Sequence, residues 1–177
     1  MSNVQRVLCE TRRFSVVELQ CTRRDGKPAT CEFITHPGSV AILPLVDENR
    51  VCLIRSRRLT VGETLVELPA GTREPDEPSH ETARRELAEE TGYRAVRLEE
   101  LVSFYPSPGI SNERMWVYAA HGLTAGEPKL EANEEIENLI VTWDEALAMI
   151  ERGEIRDGKT LVALMHYKRK VSNGGSD

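Results

Sequence analysis

The stretch from Gly71 to Tyr93, "GTREPDEPSHETARRELAEETGY", decides how this chain is read. Pro78 suits the first turn of a helix, Glu81 through Glu90 are mostly good helix formers, and Gly92 is placed to end the helix in a left-handed conformation. At about 100° per residue, Ala83, Leu87 and Thr91 share a face that can pack on a sheet. Glu86 and Glu90 lie nearly above one another on the neighbouring side, flanked by Glu89. Like charges at (i, i+4) destabilise a bare helix by roughly a few tenths of a kcal/mol, and more when partly buried. A solvated acidic face accounts for the charge count alone. A hard divalent cation such as Mg²⁺ would also remove the repulsion, because it prefers carboxylate and carbonyl oxygens. Gly71 lets the backbone come close, so the Ala70 carbonyl is a further candidate ligand. Arg85 stands one turn from Glu81 and Glu89 and can hold either carboxylate.

Upstream, Phe14 to Thr22 and Ala29 to Thr35 alternate loosely around the turn signal Asp25-Gly26, which predicts an antiparallel β-hairpin. His36-Pro37-Gly38 breaks the chain and puts a subdomain boundary near Pro37. Val40 to Val46 and Arg50 to Arg55 read as strands around Asp47-Glu48-Asn49, and Leu65 to Leu68 as a short strand ended by the loop Pro69-Ala70-Gly71. Downstream, Leu101 to Tyr105 and Met115 to Ala120 read as strands flanking a loop, and Ile136 to Thr142 as another. Thr142-Trp143-Asp144-Glu145 matches a capping box that opens a helix closed by Gly153, and Lys159 to Val171 reads as a terminal helix. Mixed strands with few, dispersed helices place the chain in the α/β (α+β) class. The expected parts are an N-terminal β subdomain over 1–38, a main domain over 39–171 and a disordered tail over 172–177.

A length of 177 residues allows one domain with a real core, and 40% hydrophobic with 29% charged residues is ordinary for a globular protein. The formal net charge of -6 argues against non-specific affinity for nucleic acid or an anionic membrane. No stretch resembles a membrane helix or a secretory signal, so a cytoplasmic protein is expected. Cys9, Cys21, Cys31 and Cys52 show no C-x-x-C pairing and read as free thiols. His36, His80, His121 and His166 lack zinc-ligand spacing, and no nucleophile elbow, Walker loop or G-x-G-x-x-G is present.

One glycine, five residues, Glu77, seven residues, then Arg85-Glu86-Leu87-Ala88-Glu89-Glu90-Thr91-Gly92-Tyr93 is an ordered set of fixed positions. The whole stretch resembles the Nudix hydrolase signature; only Tyr93 departs, at a position where an aliphatic residue is more usual. The resemblance implies an α/β/α sandwich with a mixed sheet and hydrolysis of a nucleoside diphosphate linked to another moiety, with Mg²⁺, or Mn²⁺, as cofactor. It implies Glu86 and Glu90 as metal ligands, Glu89 as an auxiliary ligand or water-orienting group, and Ala70 as a main-chain ligand.

Three further stretches resemble the ADP-ribose pyrophosphatase branch of that family: His36-Pro37-Gly38-Ser39-Val40, Glu67-Leu68-Pro69-Ala70-Gly71 and Ser107-Pro108-Gly109, with Pro108 fifteen residues beyond Tyr93. In that branch the general base comes from a flexible acidic loop. Here Glu131 to Glu137 looks like that loop, with Glu134 the better match and Glu135 in reserve. Catalytic roles therefore fall on Glu134, Glu135, Glu89 and Arg85, and substrate contacts on Arg58, Glu67, Ser107 and Pro108. Phe14 is read either as stacking on adenine or as a core aromatic. Arg58 has the planar fork that suits phosphate. Relatives exchange the N-terminal sheet across a homodimer, so a homodimer is expected. The chain departs from the branch at Thr30-Cys31-Glu32, where relatives carry a basic contact, and at Ala132 and Asn133, where acids are common. Products of AMP and ribose 5-phosphate from ADP-ribose lead this reading; a GDP-sugar or other nucleoside diphosphate sugar substrate, and a non-catalytic nucleotide sensor, are the alternatives.

Overall fold

The computed structural model describes residues 5–132 and 134–174; Asn133 of the acidic loop and 175–177 of the expected tail lie outside the described residues. Three strands open the chain, β1 (Gln5–Glu10), β2 (Ser15–Thr22) and β3 (Pro28–Thr35), and pair antiparallel in that order. The hairpin turn falls at Gly26, whose φ of 81° is one a side chain would resist. In β1, which the loose alternation of its sequence does not announce, a register irregularity sits between Val7 and Cys9. Cys21 and Cys31 are diagonal neighbours across β2 and β3, with their thiol sulfurs 3.2 Å apart.

The centre of the molecule is a mixed sheet ordered β7-β4-β9-β8, from β4 (Ser39–Pro44), β7 (Ala70–Thr72), β8 (Arg94–Phe104) and β9 (Met115–Thr124). β4 and β9 run parallel, Val40 opposite Trp116 and Ile42 opposite Tyr118. Every residue of β4 is buried, which explains its unbroken apolar run: a strand covered on both faces has no polar side to alternate with. Val40 and Ile42 face helix α1 (Ser79–Thr91) with Ala83, Leu87, Tyr118 and Ala120. Ala41 and Leu43 face the opposite core, shared with Val51, Leu53, Leu68, Val117 and Leu164. That second layer holds the sheet β10-β5-β6 and two helices: β5 (Arg50–Arg58), β6 (Glu63–Glu67), β10 (Ile136–Thr142), α2 (Trp143–Glu151) and α3 (Gly158–Gly174). The result is the α/β/α sandwich with a mixed sheet, plus the N-terminal antiparallel sheet.

Several local expectations shift. Ala70-Gly71-Thr72 pairs with Ser39 to Ala41 as a short strand instead of forming a loop. Pro78 is the N-cap of α1 and not a first-turn residue, while Gly92 ends the helix at φ 78° as its position implied. Thr142 caps α2 by accepting the Glu145 N–H. The terminal helix continues through Ser172, Asn173 and Gly174, so that part of the expected tail is helical. None of the described helices is long and apolar enough to cross a membrane.

Candidate active site

Helix α1 buries Ala83, Leu87 and Thr91 against the sheet, and this fixes which way its acids point. Glu86, Glu89, Glu90 and Arg85 line a cleft of about 850 Å³ together with Ala70, Gly71, Arg58 and Glu134. Its far side is formed by the β1–β2 turn, including Arg12, Arg13 and Phe14, and by His36 and Pro37.

Glu90 is 5% exposed and accepts the Ala70 N–H through Oε2 at 2.8 Å. Burial lifts its pKa to about 8, and the charges of Glu86 and Glu134 add to the lift against the pull of the Ala70 amide. Burial likewise raises the Glu86 pKa, partly offset by Arg85. Glu86 lies directly over Gly71, where any Cβ would collide with its carboxylate. The glycine that opens the motif is therefore there to make room for an acid.

Arg85 is the hub of the acidic face. Its Nη1 donates to Glu86 Oε1 at 2.7 Å and to Glu89 Oε2 at 3.0 Å, and its Nε donates to Glu77 Oε1 at 3.1 Å. Of the two partners expected for it, Glu89 is engaged and Glu81 is not; Glu81 lies beside His80 Nε2 at 3.3 Å. Burial alone would raise the Glu77 pKa, but Arg85 and local N–H and hydroxyl donors bring it down to about 2. Arg85 thus ties the loop before α1 to the helix, and among the described residues Glu90 makes no salt bridge of its own.

Among the described residues no three acidic, histidine or cysteine side chains are gathered as a ready-made metal set. The donor chemistry nonetheless fits a hard divalent ion. Two repelling carboxylates, Glu86 and Glu90, are withdrawn from water beside a backbone strand, and Mg²⁺ commonly takes only one or two protein carboxylates, drawing its other oxygens from substrate and water.

The remaining candidate residues divide. Glu134 lines the cleft and accepts the Glu131 N–H at 2.8 Å, whereas Glu135 is exposed and offers its backbone carbonyl to Arg57 N–H. Phe14 lines the cleft and is 39% exposed, so it is not a core aromatic. Arg58 reaches the cleft, but its Nε and Nη2 fork onto Glu67 at 2.8 and 2.7 Å. Glu67, expected as a substrate contact, is 1% exposed and enclosed by Arg58 and Lys159. Ser107 and Pro108 are not brought to the carboxylates within this chain: the Ser107 carbonyl accepts from Ile110 and Ser111, and Pro108 borders a separate hollow with Phe33 and Tyr105. Sequence reasoning missed Lys159, Asp157 and Thr160 behind Glu67, and Arg12, Arg13 and Arg73 at the cleft. Asp157, three residues before Thr160 at a helix start, carried an N-cap signal; the cleft arginines carried none.

Residues 35–164 match the NUDIX domain family. The chain is 38% identical to an ADP-ribose pyrophosphatase of Bacillus subtilis (strain 168) over 82% of its own length and 80% of the relative. It is 33% identical to a GDP-mannose pyrophosphatase of Cronobacter sakazakii (strain ATCC BAA-894) over 83% of both. Its fold is similar to that of a solved ADP compounds hydrolase, with a TM-score of 0.83, 20% identity, and coverage of 98% of this chain and 95% of that one.

Proposed function

Because the chain belongs to the Nudix family of hydrolases, we propose that it is a Mg²⁺-dependent pyrophosphatase that cleaves ADP-ribose to AMP and ribose 5-phosphate. The observation that carries this reading is the acidic pair on the cleft wall, Glu90 buried and Glu86 half-buried over Gly71, in a chain 38% identical to an ADP-ribose pyrophosphatase. Glu86, Glu90 and the Ala70 carbonyl would hold the ion, Mg²⁺ or alternatively Mn²⁺, with Glu89 as an auxiliary ligand. When bound, the ion offsets the repulsion between acidic cleft and anionic diphosphate, polarises the attacked phosphorus and makes water more acidic.

The chain's own residues do the rest. Glu134 takes a proton from the attacking water as its oxygen bonds to one phosphorus; the bridging P–O bond breaks, and the leaving phosphate departs as a monoester. A loop carboxylate suits that task because it can close over bound substrate. Arg58 presents its free edge to the diphosphate, Arg85 keeps Glu86 and Glu89 in place, and Phe14 stacks on the adenine. Residues 1–38 serve as a dimerisation subdomain ahead of the catalytic part at 39–171. The exposed Val7, Leu8, Tyr105 and Ile110 support a homodimer, which light scattering on the purified protein tests.

The test of function is product analysis with Mg²⁺ and with chelator across ADP-ribose, GDP-mannose, NADH and diadenosine polyphosphates. Metal-dependent AMP and ribose 5-phosphate chiefly from ADP-ribose is the expected result. Preference for GDP-mannose, the substrate class named for a 33% identical relative, would keep the chemistry and change the substrate. Tight binding without turnover would make the protein a sensor.

A further inference from the structure

Behind the cleft lies a buried charge cluster that links helix α3 to the cleft wall. Glu67 is 1% exposed and shares its carboxylate between two cations: Arg58, through Nε at 2.8 Å and Nη2 at 2.7 Å, and Lys159, through Nζ on Oε2. The Lys159 side chain is itself only 11% exposed and also meets Asp157 Oδ2 at 3.0 Å. Asp157 is answered separately: its Oδ2 accepts the Thr160 N–H at 3.0 Å and the Thr160 hydroxyl at 2.6 Å, at the positive end of α3. The Thr160 hydroxyl in turn accepts the Leu68 N–H at 2.8 Å, fastening the helix start to the residue after Glu67.

The charge arithmetic of this cluster bears on the cleft. Were Glu67 bound to Arg58 alone, one carboxylate would cancel one guanidinium, and an anion in the cleft would find little net attraction. Because the α3 terminus helps neutralise Asp157, Lys159 is available to take part of the Glu67 charge, and Arg58 keeps an uncompensated share of its own. The bidentate fork also fixes the guanidinium plane, and among the described residues Nη1 makes no hydrogen bond. A buried carboxylate that loses one of two cations tightens on the other.

We propose that Lys159 is a positioning residue: through Glu67 it sets the direction and the residual charge with which Arg58 meets the diphosphate of the substrate. This rests on the reading of Arg58 as the phosphate contact. Lys159 touches neither substrate nor reacting atoms, and its effect falls on binding more than on the chemical step.

The experiment uses the full chain and two readouts. Calorimetric affinity for inorganic pyrophosphate with Mg²⁺ reports diphosphate binding whatever nucleoside and sugar flank it, and steady-state kinetics on ADP-ribose separate KM from kcat. Lys159→Met is expected to weaken pyrophosphate about tenfold and raise KM similarly, with kcat within about threefold. Lys159→Arg is expected to restore both, and the double variant Arg58→Met/Lys159→Met to bind no worse than Arg58→Met. If Arg58→Met weakens pyrophosphate and Lys159→Met does not, the inference is overturned while the role of Arg58 stands. If Arg58→Met leaves affinity unchanged, or wild type does not bind pyrophosphate, both fall. Loss of kcat and melting temperature together in Lys159→Met, without rescue by arginine, would reduce Lys159 to a structural prop and also overturn the inference.

Discussion

Glu86 lies over Gly71 so closely that a methyl group at position 71 would occupy the place of the carboxylate. The three atoms nearest to such a methyl all belong to the end of a flexible side chain, so Gly71→Ala is expected to spare the fold and displace the acid. Melting temperature should fall by no more than about 3 °C, while kcat/KM should drop by on the order of a hundredfold, the usual cost of misplacing a positioned group by about an ångström. Wild-type turnover in Gly71→Ala would show that the position of Glu86 is immaterial.

Glu90→Gln separates the need for a carboxylate from the need for a side chain of that shape. Glu90 is the most buried acid of the cleft, and its environment favours the neutral form, so an amide fits the metal-free protein well. Melting temperature in chelator should match or exceed wild type, whereas hydrolysis with Mg²⁺ should fall by at least about a hundredfold. Calorimetry should show weakened Mg²⁺ binding; unchanged metal affinity and turnover would move the metal away from Glu90.

Glu134→Gln tests the base. Glu134 lines the cleft and its charge is felt by both Glu86 and Glu90, while Glu135 is exposed, is not part of the cleft lining and is fastened by its backbone to Arg57. The variant should lower kcat by roughly 10²–10⁴-fold, the range for a positioned proton acceptor, with KM little altered. A single-turnover rate equal to wild type would return the role to Glu135 or another group.

These sites differ in how far the sequence announced them. The α1 acids were legible because helical spacing is local: Ala83, Leu87 and Thr91 must share a face, and Glu86 and Glu90 must then share the next. β4 was legible as an apolar run. By contrast, Glu67 and Lys159 are 92 residues apart, and nothing near either one states that they meet. Motif position therefore points to Glu67 as a substrate contact, whereas tertiary closure buries it against Arg58. The short strand Ala70–Thr72 was hidden for a different reason: three residues with a central glycine carry no alternation, and their pairing with β4 is imposed by neighbours. Ser107 and Pro108 matched the family branch yet stand outside the cleft, because spacing along a chain does not say where a loop will fold.

Away from the cleft, Glu99 on β8 links the sheet to the last helix through Lys170 and also meets Arg97 at 2.8 Å and His121 at 3.2 Å. Hydrogen bonds from Lys170 and Arg97 hold its pKa down to about 2, against an ordinary 4.5. A carboxylate depressed in the folded state stabilises the fold fully above its unfolded pKa, and that contribution is lost as pH falls from about 4.5 through about 2. Lys170→Met should therefore cost about 0.5–1 kcal/mol at pH 7, a modest figure because the pair is partly solvated and screened. The gap from wild type should narrow progressively below about pH 4.5 and close only below about pH 2, as Glu99 becomes protonated in both folded proteins. Urea unfolding at pH 7, 4.5, 3 and 2 reads the gap directly, and raising salt at pH 7 should shrink it as well. A gap that stays constant down to pH 2 would assign the effect of Lys170 to packing of its aliphatic stem and not to the charge of Glu99.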